Sequence, residues 1–154
     1  MKRIFLNGFF AALFLITFSA RGVEAQTTTE NLLISTELLL ISQVNLSILA
    51  LNLIATNMQH EYTTVDEDRE SLDTIIQSLD LSHDTIQTLL KSKDVEKADL
   101  ELIRLLSRTN DSLIASSKEL IDYCDDGDTV HFSNFADDMQ NVVTNLEKAQ
   151  KLLE

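Results

Sequence analysis

Asp122, Asp125, Asp126 and Asp128 fall within seven residues, with Gly127 among them. Hard carboxylate oxygens at that density suit Ca²⁺, and glycine provides the turn that lets them converge. On the twelve-residue calcium-loop template Asp122 takes position 1, Asp126 position 5, Gly127 position 6 and Asp128 position 7. Position 3 is then Cys124, and position 12, where a bidentate Glu is needed, is Ser133. The template fails twice. Asp122, Asp125, Asp126 and Asp128 therefore stand as a weak Ca²⁺ candidate beside a simpler expectation, a solvated acidic turn that caps the last helix.

Histidine offers a second chemistry. Asp80-x-x-His83 and Asp128-x-x-His131 each put a carboxylate and an imidazole one helical turn apart. Di-iron bundles use Glu-x-x-His pairs, and no Glu-x-x-His occurs here. The expectation for His83 is a polar core layer with Gln43 or Glu37, of the kind that fixes register at some cost in stability. Arg69 and Glu37 invite the same reading, with snorkelling at a bundle end as the alternative for each. Cys124 is the single cysteine, so it can bridge two subunits or remain a free thiol, and its acidic neighbours oppose nucleophilic chemistry. A haem-attachment motif, a glycine-rich phosphate loop and a nucleophile motif are all missing from the sequence. A non-catalytic protein is expected.

The elements that hold these residues follow from what the chain lacks. It has 154 residues, no Pro, no Trp and three Gly, and 44% of it is apolar. That is enough for one cored domain, but too few turn residues for an all-β fold. One cysteine rules out an intramolecular disulfide framework. A net charge of −13 argues against nucleic acid as a partner.

Lys2 and Arg3 precede an apolar run from Ile4 to Ala20, and Val23 and Ala25 supply small residues ahead of Gln26. This pattern predicts a secretory signal peptide over 1–25, cleaved after Ala25, and an exported protein, periplasmic or extracellular. Cleavage would leave 129 residues and remove three cations and one anion, taking the charge to −15. Gly127 would be the one remaining glycine.

Hydrophobic spacing assigns the rest. Steps of three and four from Ile34 through Ile41, Val44, Leu51, Leu72, Leu79 and Ile86 to Leu90 are apolar at 14 of 17 positions, where bulk composition gives about seven. Glu37, Arg69 and His83 are the exceptions. Weaker ladders run from Val95 to Tyr123 and from Phe132 to Leu153. Thr27–Glu30 and Thr64–Glu67 read as capping boxes, while Asp94 and Ser133 read as caps of the last two helices. The expected fold is all-α: an antiparallel up-down four-helix bundle over 26–154, with helices at about 28–61, 64–92, 94–124 and 133–153. The first ladder keeps phase through 61–64, so one long helix over 30–90 in a coiled-coil oligomer is the alternative.

Leu38 to Thr56 carries no charge. It is expected to be a central, largely buried bundle helix, with a membrane-associated segment or a partner-binding face as alternatives. Function is expected to lie in packing against a protein partner or in a homo-oligomer. A ligand- or cation-binding bundle and a membrane-associated subunit are the competing readings. No residue motif singles out a family.

Overall fold

The structure, a computed structural model, describes residues 28–93 and 95–153. The expected signal segment, its cleavage point at Ala25, Thr27 and Asp94 lie outside the described residues. Four helices account for nearly all of the rest: α1 (Thr28–His60), α2 (Val65–Lys91), α3 (Lys97–Asp126) and α4 (Val130–Leu153). There is no strand among the described residues.

With so few glycines, the joints are made by other chemistry. α1 ends in a Schellman motif built on a glutamate. Glu61 sits at φ 55. Its N–H donates to the Met58 carbonyl at 3.3 Å, and the Tyr62 N–H donates to Asn57 at 3.0 Å. Thr63 and Thr64 follow in place of a Pro. The Thr64 hydroxyl accepts from the Glu67 N–H at 3.3 Å, and the Glu67 carboxylate accepts from the Thr64 N–H at 2.9 Å. This reciprocal box starts α2, with Asp66, Glu67 and Asp68 in its positive first turn. Residues 30–90 are thus two helices rather than one, although the ladder keeps phase across the break.

The later boundaries depart from the sequence expectation. α3 begins at Lys97, behind an extended Glu96 that makes no side-chain cap. α4 begins at Val130, so Ser133 is inside the helix and does not cap it. The cap is Asp128, whose Oδ1 accepts from the Val130 N–H at 3.0 Å. A carboxylate at a helix N-terminus gains from the dipole as well as the hydrogen bond, which a serine hydroxyl cannot match. Gly127, at φ 70, closes α3 by donating its N–H to the Tyr123 carbonyl at 2.9 Å.

Packing is consistent with a bundle and is organised around α3. α3 meets α4 along the broadest interface and α2 along the next, while α1 rests on α2 and α3 through narrower ones. Leu51, Leu72, Leu79, Ile86, Leu106 and Leu113 are almost fully buried at the centre, with Met139 and Val142 under α4. All of the α1 and α2 members among these stand on the sequence ladder. Arg69 meets Asp125, whereas His83 meets Asp111 at 3.2 Å, so later parts of α2 face earlier parts of α3. Buried Asn110 donates from Nδ2 to the Leu79 carbonyl at 3.1 Å and pins the same pair of helices.

Candidate functional site

The short loop between α3 and α4 brings together groups that are distant in the sequence. Glu119 and Asp122 stand one turn apart near the end of α3. Gly127 reverses the chain, and Asp128 starts α4 early enough that His131 is its second residue. The imidazole then lies back over α3. His131 Nδ1 is 2.8 Å from Glu119 Oε2, and Nε2 is 3.3 Å from Asp126 Oδ2. Asn134 donates to the same Glu119 oxygen at 2.9 Å. Tyr123 and Phe132 pack ring against ring beneath the corner, centroids 4.5 Å apart.

The His131 side chain is only 17% exposed, and a carboxylate faces each ring nitrogen. These carboxylates, Glu119 first, hold the imidazole pKa above its usual value against the opposing effect of burial. The hydrogen bond from His131, aided by Asn134, keeps the Glu119 carboxyl below the ordinary range. Asp126 is lowered mainly by the Asp128 backbone N–H. Asp138, further along α4, is raised by burial and then by the charges of Glu119 and Asp137. Negative charge is in excess around the single imidazole.

Donor atoms of Glu119, Asp122 and His131 all lie within 4.8 Å of one another. Among the described residues this is the group placed to share a metal ion. Of the four aspartates read as a Ca²⁺ site, only Asp122 belongs to it. Asp125 pairs with Arg69, Asp126 binds His131 and the Asp128 N–H, and Asp128 caps α4. His131 takes its carboxylates from Glu119 and Asp126 rather than from Asp128.

The expected polar layer of Glu37, Arg69 and His83 does not assemble. Glu37 alone is buried, 6% exposed on α1. Its Oε1 has no hydrogen-bond partner, and burial, reinforced by the charge of Asp99, pushes its pKa up to about 7. Arg69 and His83 lie at the rim of the α2–α3 interface, where each finds an aspartate in partial solvent. The polar groups inside are instead mostly small. Thr109 and Ser117 of α3 return their hydroxyls to the carbonyls of Leu105 and Leu113. Buried Asn110, in one of two Asn-x-Ser sequons, has its amide nitrogen committed to Leu79 and cannot accept a glycan in the folded chain. Cys124 is a free, half-buried thiol whose pKa is raised, by burial first and then by Asp68.

A second feature lies on α1. Its core face carries Val44, Leu51 and Met58, all buried. On the opposite side Leu39, Leu46, Leu49 and Leu53 are 53–71% exposed. With Ser42 they follow steps of three and four, a second heptad seam on the same helix. α1 is therefore an edge helix with two apolar faces, not a central one. The second frame is present in the sequence, but it overlaps the stronger first ladder. Comparison with family models, curated proteins and solved structures finds no match to the chain.

Proposed function

We propose that the protein is an exported, non-catalytic helical-bundle protein that works by assembly, packing the outer leucine seam of α1 against the same seam of a second copy. The observation that carries this is the row Leu39, Leu46, Leu49 and Leu53, exposed at heptad spacing on a helix whose other face is already buried. Contiguous exposed apolar surface of this kind marks an interface, and heptad spacing marks a helical one.

The occupant follows from charge. Flanking charges usually choose the partner in helix pairing. Here the flanks are Leu38, Gln43, Asn45, Ala50, Asn52 and Asn57, none of them charged. Amides donate and accept, so such a seam is complementary to itself. The rest of a chain carrying −13 repels a second copy, leaving the uncharged seam as the favourable place to meet. The α2–α3 and α3–α4 side-chain pairs support an up-down-up-down order of helices, with α1 at the open edge. Export rests on the amino-terminal pattern ending at Ala25.

A membrane reading has its own observation. Ser35–His60 is long and apolar enough, by length and composition, to cross a bilayer. Against it, Ser42, Gln43, Asn45 and Asn52 fall on several sides of the helix, and each costs free energy in lipid. Gln43 also donates to Ser78 of α2.

Light scattering of the purified protein across micromolar concentrations, with carbonate extraction of membranes, tests the proposal. The expected mass is two chains, falling to one on dilution, and extraction leaves the protein in the wash. A monomer that binds no apolar dye at any concentration, or a chain retained in the carbonate pellet, contradicts it.

A further inference from the structure

We infer that the α3–α4 corner is a transition-metal site in which Glu119, Asp122 and His131 bind one divalent d-block ion, with Zn²⁺ as the type. This site is separate from the outer face of α1 and does not depend on the assembly proposal.

The three donors come from two helices and meet at one point. A zinc ion sits about 2.0–2.2 Å from imidazole nitrogen and carboxylate oxygen, which spaces tetrahedral donors by about 3.3 Å. The donor atoms here lie within 4.8 Å of one another before any ion draws them in. Glu119 and His131, at 2.8 Å, need only part slightly to admit the ion between them. Three protein ligands leave one position for water, as in open zinc sites.

Donor type selects the metal. Imidazole suits Zn²⁺, Ni²⁺, Cu²⁺ and Fe²⁺, whereas Ca²⁺ and Mg²⁺ favour oxygen alone. The side chains around the ligands suit the role as well. Asn134 donates to Glu119 Oε2 at 2.9 Å and holds that carboxylate in place. Asp126 accepts from His131 Nε2 at 3.3 Å, the carboxylate–histidine arrangement that holds the ring while a metal replaces the Nδ1 proton now shared with Glu119. The Asp126 carboxylate is itself anchored by the Asp128 N–H at 2.8 Å. Tyr123 against Phe132 makes the corner stiff. The bound ion would fasten α4 to α3 at the end where only Gly127, Asp128 and Thr129 join them.

Zn²⁺ titration of the purified protein tests the inference, read by chelator competition and by thermal melting. One ion per chain is expected, with Tm rising by roughly 5–10 °C at a hundredfold excess over Kd. His131→Gln and Glu119→Gln should each weaken binding at least tenfold and abolish the Tm rise, with helical content kept by circular dichroism. His83→Gln removes the other imidazole–aspartate pair and should leave both unchanged. Co²⁺ in place of Zn²⁺ should give visible d–d absorption in wild type and His83→Gln but not in His131→Gln. Failure to saturate at one ion per chain by 100-fold molar excess, or binding undiminished in both His131→Gln and Glu119→Gln, overturns the site.

Discussion

The two faces of α1 are built from the same residue types on one backbone, and the fold treats them oppositely. Leu51 is fully buried against α2 and α3, while Leu53, two residues on, is 61% exposed. Hydropathy does not separate them; angular position does. Residues 44, 51 and 58 repeat at seven and point into the bundle, and 39, 46 and 53 repeat at seven on the other side. A helix apolar all round is normally enclosed. α1 is enclosed on one side only, which makes its outer face the surface most in need of a partner.

The inner face should show the largest response to substitution. Leu51→Ala removes a fully buried side chain, and should cost about 2–5 kcal/mol in chemical denaturation. A cost below about 1 kcal/mol would mean that α1 is not anchored as described.

Glu37, at the head of the inner face, should give the next effect, and a pH-dependent one. The folded chain holds its proton up to about pH 7, whereas an unfolded glutamate releases it near 4.5. The native state therefore binds more protons across that window, and stability falls as pH rises through it. Glu37→Gln removes the fall. Melts at pH 8 should show the variant more stable by on the order of 1 kcal/mol, a few degrees in Tm, with the difference closing toward pH 4.5. A constant difference across the range would place the carboxyl in solvent.

Glu61 ends both faces at once. A non-glycine residue at φ 55 is strained, and Glu61→Gly should raise stability by about 0.5–1 kcal/mol without changing the helix boundary. The smallest effect belongs to the outer face. At a dilution where the chain is monomeric, Leu49→Ala should change stability by less than about 0.5 kcal/mol. A loss comparable to that of Leu51→Ala would erase the distinction between the faces.

Much of this was legible in the sequence for a simple reason: a 3–4 ladder records which side of a helix is buried. The steps from Ile41 to Met58 and from Leu102 to Leu120 lie buried or half-buried. The Thr64 box was legible because a capping box is local, four residues whose side chains reach only each other. The start of α4 was legible in part: the acidic turn was expected to cap it and Asp128 does, but Ser133 is an equally competent cap and the choice depends on the turn made by Gly127. The same turn hides the corner site. Asp128-x-x-His131 suggests a partner along one helix, yet His131 reaches Glu119, twelve residues back on another. Spacing marks partners within a helix and says little about partners across a reversal. Glu37, Arg69 and His83 share a ladder but not a layer, because equal phase along two helices does not place residues at equal depth.

Sedimentation equilibrium of the wild type beside Leu46→Lys paired with Leu53→Lys, and beside Leu51→Ala, tests the central claim most directly. The wild type should sediment as a reversible dimer. The double lysine variant should be monomeric at every concentration, with unchanged helical content and unfolding midpoint at high dilution. Leu51→Ala should unfold more easily yet still dimerise while folded. A wild type that stays monomeric, or a double lysine variant that dimerises as tightly as the wild type, would contradict the account.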